Sequence, residues 1–173
     1  NSIAKGYAVD QFVSLLKNEG YENFLIDIGG EVYANGIKKK DQNWKVGIDR
    51  PVKNSETSSR ELSVKIELQN MAMATSGNYR KYKVNKDTGK ETVHTINPIT
   101  GKAKPSSILS ATVIADKCMK ADAYATALMA MGHHKAIHFL NDKSKIEAYL
   151  IYKLENGNEK TFMTKGFKDL IID

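Results

Sequence analysis

Asp122 and Thr126, in the run Ala121-Asp122-Ala123-Tyr124-Ala125-Thr126-Ala127, are the pair whose types and spacing point most directly to chemistry. A carboxylate and a hydroxyl one helical turn apart fall on one face, so their oxygens can converge on a single hard cation; so sparse an oxygen set suits Mg²⁺. The same spacing also fits a solvated face near a helix start. Three further segments bear on the choice: Ala4-Lys5-Gly6-Tyr7-Ala8-Val9-Asp10, Thr75-Ser76-Gly77-Asn78-Tyr79-Arg80, and His94-Thr95-Ile96-Asn97-Pro98 with Gly101 following.

The elements that must position these residues follow from pattern. Ile3, Tyr7, Phe12 and Leu15 or Leu16 recur at helical spacing, which predicts an opening helix that ends near Asn18-Glu19-Gly20. Strands are expected at Phe24–Ile28, at Glu31–Gly36 after Gly29-Gly30, and at Trp44–Ile48. Leu62–Leu68 alternates with period two, and Met71–Thr75 follows as another strand. Tyr79–Lys90 reads as a hairpin with a turn at Asp87-Thr88-Gly89 that delivers His94 on the return strand. Ala111–Ala115 is a buried strand before a helix from about Lys117 to Met131; Gly132 interrupts, a short helix runs to about Leu140, and Ile146–Tyr152 and Thr161–Met163 close the chain as strands. Hairpin-connected strands with a few helices set apart predict an α+β fold, mainly antiparallel.

Composition sets the bounds. A length of 173 residues accommodates one domain over 1–173. The net charge of +6 is spread among interleaved acids, and the dense run Lys38-Lys39-Lys40 is closed by Asp41 as a hairpin tip, so nucleic acid is not an expected partner. No window is long and apolar enough to span a bilayer as a helix. The lone Cys118 excludes an internal disulfide framework and, in apolar helical surroundings, reads as a buried small side chain. Tyr124 and Ala123 read as packing residues, and His133, His134 and His138 have poor spacing for a metal. The chain opens without Met directly into a helical pattern, which predicts a fragment lacking an N-terminal portion.

Taken in order, Ala4–Asp10, Ile28-Gly29-Gly30-Glu31, Thr75–Arg80, His94-x-Ile96-x-Pro98-x-x-Gly101, Thr112–Ala115 and Ala121–Ala127 resemble the ApbE family of FAD:protein FMN transferases. The resemblance implies a T-fold-like α+β architecture and identifies the chain as the C-terminal part of such a protein. It implies Mg²⁺-dependent transfer of FMN from FAD to a Thr or Ser hydroxyl of an acceptor flavoprotein. FAD is then a substrate, and AMP is released. It assigns His94 as the base, and Asp122, Thr126 and the backbone carbonyl of Ala4 as metal ligands. It further implies a bacterial cell-envelope location, with any membrane attachment through a lipid anchor outside this chain.

Several residues keep two readings beside that pattern. Lys5 with Gly6 either offsets phosphate charge or occupies a first helical turn; Glu31 either reaches the adenosine part of FAD or is a turn carboxylate. Thr75, Ser76 and Gly77 offer two hydroxyls and close backbone approach for a phosphate or ring edge, or they simply end a strand. Asn97 stands where the family usually has Asp. An FAD pyrophosphatase needs the same groups, and a non-catalytic flavin-binding or assembly protein is the alternative from another class. An exposed sheet edge in a fragment would also favour association.

Overall fold

The computed structural model describes residues 2–39, 41–51, 61–77, 82–84, 91–93, 101, 106–142 and 146–172. In chain order these form α1 (Ala4–Asn18), β1 (Phe24–Ile28), β2 (Glu31–Asn35), β3 (Trp44–Asp49), β4 (Leu62–Leu68) and β5 (Met71–Gly77). There follow β6 (Tyr82–Val84), β7 (Glu91–Val93), β8 (Ile108–Ala115), α2 (Cys118–Met131) and α3 (His133–Asn141). The chain closes with β9 (Glu147–Lys153), β10 (Glu159–Met163), α4 (Lys165–Lys168) and β11 (Ile171–Ile172).

A six-stranded sheet runs in the order β1-β2-β5-β8-β9-β10, with every neighbouring pair antiparallel. Side chains alternate across it, and each face has its own core. On one face Ala74, Ala111, Val113 and Leu150 pack with Ala121, Ala125 and Leu128 of α2 and Ala136 of α3, and Tyr33 and Ala72 pack with Val9 and Val13 of α1. On the other, Val32, Ala34, Met73 and Ile114 meet Ile48 of β3, Ile66 and Leu68 of β4 and Phe167 of α4. The second sheet has the order β11-β4-β3. The result is a helical layer, a central sheet and a small sheet, the expected α+β fold.

Most elements lie where the pattern predicts them. The β1–β2 hairpin turns on Gly29 (φ 65°) and Gly30 (φ 99°), two left-handed residues that glycine supplies without strain. Lys39 bridges Gln42 and Asp41 has φ 58°, as a hairpin tip requires. β6 and β7 pair antiparallel, in keeping with the predicted hairpin; His94, Asn97 and Pro98 lie outside the described residues.

Two features differ. The short α4 and β11 are too brief to announce themselves by periodicity. The apolar residues that drew the eye in α1 face solvent: Tyr7, Phe12 and Leu15 are each about half exposed, at 53%, 51% and 51%. The buried face is Gly6, Val9 and Val13, because α1 approaches α2 and the sheet too closely for large side chains.

Candidate active site

Neither α1 nor α2 carries a side-chain cap from its own lead-in, since Ile3 and Lys117 occupy the N-cap positions. Each helix is capped by a carboxylate from the other. The Gly6 amide, in the first turn of α1, donates to Asp122 Oδ2 at 3.1 Å. In return, Asp10 of α1 accepts from the Cys118 amide at 2.8 Å through Oδ1 and from the Met119 amide at 3.0 Å through Oδ2. Unpaired amides at a helix start are satisfied and the helix dipole is met by negative charge at both ends of this exchange. Gly6 makes the approach possible: a Cβ there would stand 2.5 Å from the Cys118 carbonyl oxygen.

Asp122 is 5% exposed, and the Gly6 amide is its hydrogen-bond partner among the described residues. Thr126 lies one turn further along α2, and its Oγ1 is 3.2 Å from Ser76 Oγ at the end of β5. The predicted pair therefore gathers Ser76 and the start of α1, where Ala4 sits two residues before Gly6. Thr75 does not join them. Its neighbour in the strand faces the helices, so Thr75 turns to the opposite face and meets Thr112 Oγ1 at 2.9 Å. Gly77, at the strand end, pairs in register with Ser110.

Lys5 and Glu31 meet across the β1–β2 turn. The Lys5 ammonium forms an ion pair with Glu31 and reaches the Gly29 carbonyl at 3.3 Å. Glu31 is 2% exposed, so its carboxylate is a buried partner of Lys5, whose own side chain is about half exposed at 52%. Burial pushes the Glu31 carboxyl above its ordinary range; Lys5 opposes the rise and Asp122 adds to it. Burial likewise raises Asp122, opposed by the Gly6 amide and Lys5. Among the described residues, two desolvated carboxyls thus lie in this region, and the Lys5 ammonium is paired with Glu31. That deficit of positive charge, with the all-oxygen donors Asp122 and Thr126, fits a hard divalent cation.

Other expectations resolve simply. Cys118 is fully buried against the Val32 carbonyl, and its thiol is held far above the usual range by burial, so it is inert. Tyr124 packs on Phe139 with ring centroids 5.9 Å apart. His133 stacks on Tyr152 at 4.8 Å. Reasoning from sequence did not single out Asp10. Its partner amide lies 108 positions away, beyond the reach of any local pattern.

A comparison with protein-family models matches residues 1–150 to the ApbE family. The chain is 36% identical over 166 residues to an FAD:protein FMN transferase of Haemophilus influenzae and 32% identical over 171 residues to one of Vibrio cholerae. These alignments take in 96% and 99% of this chain but 45% and 49% of those proteins, so the chain spans about half the length of its relatives. Among solved structures it superposes on the flavin transferase ApbE from Vibrio cholerae with a TM-score of 0.78 at 32% identity, covering 98% of this chain and 51% of that one. The apo flavinyl transferase ApbE of Pseudomonas stutzeri gives the same TM-score, 0.78, at 32% identity, covering 98% and 50%. The order of the sequence blocks, the sheet topology and these likenesses agree: the chain belongs to the ApbE family.

Proposed function

We propose that the protein carrying this chain transfers FMN from FAD to a Thr or Ser hydroxyl of an acceptor protein, in an Mg²⁺-dependent reaction that releases AMP. The observation that carries this reading is the buried Asp122 carboxylate, fixed by the Gly6 amide with the Thr126 and Ser76 hydroxyls beside it. The names of the relatives support the same chemistry.

Asp122, Thr126 and the Ala4 carbonyl would hold Mg²⁺, which when bound withdraws charge from the pyrophosphate. The acceptor hydroxyl oxygen forms a bond to the phosphorus of the FMN half. The bond from that phosphorus to the bridging oxygen breaks, and AMP leaves with the electron pair. The hydroxyl proton passes to His94, the base that the family pattern assigns. Lys5, partly exposed beside Glu31 and the Gly29 carbonyl, supplies positive charge near the phosphates.

The test is to incubate the protein with FAD, Mg²⁺ and a Thr-bearing acceptor and to weigh the acceptor by mass spectrometry. A gain of one FMN that disappears in Asp122→Asn supports the reading. Conversion of FAD to FMN and AMP with the acceptor mass unchanged would replace it with hydrolysis.

A further inference from the structure

We propose that Asp10 is a positioning residue of the cation site, holding Asp122 and Thr126 in register with α1 although it is not itself a ligand. The inference rests on the cation reading given above. Its basis is the exchange of caps. Asp10 accepts the first two amides of α2 at 2.8 and 3.0 Å, and Asp122 stands one turn beyond those amides. The Gly6 amide that Asp122 accepts lies one turn before Asp10 on α1. Five residues thus close a loop of contacts: Asp10 to Cys118 and Met119, along α2 to Asp122, across to Gly6, and along α1 back to Asp10.

Nothing else described at the start of α2 does this job, because Lys117 provides no side-chain cap. Charge-assisted bonds to two successive amides fix both the rotation of α2 about its axis and its slide along α1. Without them α2 keeps its apolar packing on β5 and β8, but the carboxylate of Asp122 loses a defined distance from Ala4 and Ser76. Groups that hold a metal ligand in place commonly govern affinity by about 10 to 100-fold.

Mn²⁺, followed by its electron paramagnetic resonance signal, serves as the probe for the chain and its variants. Asp10→Asn keeps one acceptor oxygen and is expected to weaken Mn²⁺ binding about tenfold, with a larger loss in Asp10→Ala. Asp10→Glu keeps the charge on a longer arm and is expected to stay weakened. Val13→Ala opens a cavity in the α1 packing without touching a cap, and is expected to lower the melting temperature while leaving Mn²⁺ affinity native. Should Asp10→Ala fail to fold, Asp10→Asn decides. Loss of binding in Asp122→Asn with native affinity in the folded Asp10 variants would overturn the role of Asp10 alone. Native affinity in Asp122→Asn would overturn the cation site and this role with it. Full recovery in Asp10→Glu would make the effect one of charge and not of position.

Discussion

Asp122 on α2 accepts a hydrogen bond from the Gly6 amide on α1 at 3.1 Å, across 116 positions of chain. The bond satisfies an amide that the N-cap residue Ile3 leaves without a side-chain cap and, in the same act, orients a buried carboxylate toward the start of that helix. Structure and chemistry are therefore tied at one atom pair. A change that separates the helices should remove cation binding and stability together, whereas a change confined to the carboxylate charge should split them.

Gly6→Ala is the first case. The added methyl would meet the Cys118 carbonyl oxygen at 2.5 Å and the Met119 Cα at 2.7 Å, and backbone atoms cannot rotate out of the way. Overpacking of this kind costs about 1 to 3 kcal/mol, against an intrinsic helix gain of roughly 1 kcal/mol for Ala over Gly. The expected outcome in urea denaturation is a net loss of stability, accompanied by loss of Mn²⁺ binding. A variant as stable as the native chain would show that α1 and α2 are not held this closely.

Asp122→Asn is the second. Burial raises the native Asp122 carboxyl above its ordinary value of 3.8, so between that value and the raised one the native state binds more protons than the unfolded state. Stability therefore falls as pH rises through the window, and the loss is complete above it; Glu31 carries the same sign. Asn keeps a carbonyl for the Gly6 amide and removes the charge. With divalent cations chelated, the variant should melt at or above the native chain at pH 7.5, and the difference should vanish below the ordinary carboxylate range. A melting temperature several degrees lower at pH 7.5 would contradict the direction of the shift.

How far the sequence reveals this site depends on the range of each interaction. Asp122 and Thr126 were legible because helical spacing is local, and the glycine turn before Glu31 was legible for the same reason. Strand alternation already separates Thr75 from Ser76, so their divergence was there to be read. The capping exchange joins residues more than 100 positions apart, 108 for Asp10 with Cys118, and no local pattern records such a pairing. The orientation of α1 misleads for a physical reason: close helix approach selects Gly6 and Val9 for the buried side, which leaves its larger apolar residues outside. His94 lies outside the described residues, and the role proposed for it rests on the family pattern.

The two hydroxyls of β5 should respond differently. Ser76→Ala removes the 3.2 Å contact with Thr126 at the site, and the stability cost should be about 0.5 to 1.5 kcal/mol with measurably weaker Mn²⁺ binding. Thr75→Val leaves Thr112, which is fully buried, without its 2.9 Å partner; the cost should be about 1 to 3 kcal/mol with unchanged Mn²⁺ affinity. Urea melts and Mn²⁺ titrations on both variants check this. Equal effects on cation affinity would mean that the strand faces are misassigned.

A last expectation concerns α3. His133 Nδ1 lies 2.8 Å from Ser107 Oγ, the ring stacks on Tyr152, and its Nε2 is buried without a hydrogen-bond partner among the described residues. Burial lowers its pKa below 6.5 and the neighbouring His134 adds to the effect, while Glu155 opposes it. Below 6.5 the unfolded chain takes up a proton that the native chain resists, so this residue's contribution is intact above 6.5 and is lost as pH falls toward the native value. His133→Phe keeps an aromatic ring against Tyr152, and Ser107 Oγ can still accept the amide of residue 133, which it does at 3.1 Å. The variant should therefore lose less stability than the native chain between about pH 7 and 5, the interval in which histidine ordinarily titrates. Unfolding free energies measured in urea across that interval give the comparison, and parallel profiles for the two proteins would show that His133 titrates alike in the folded and unfolded states.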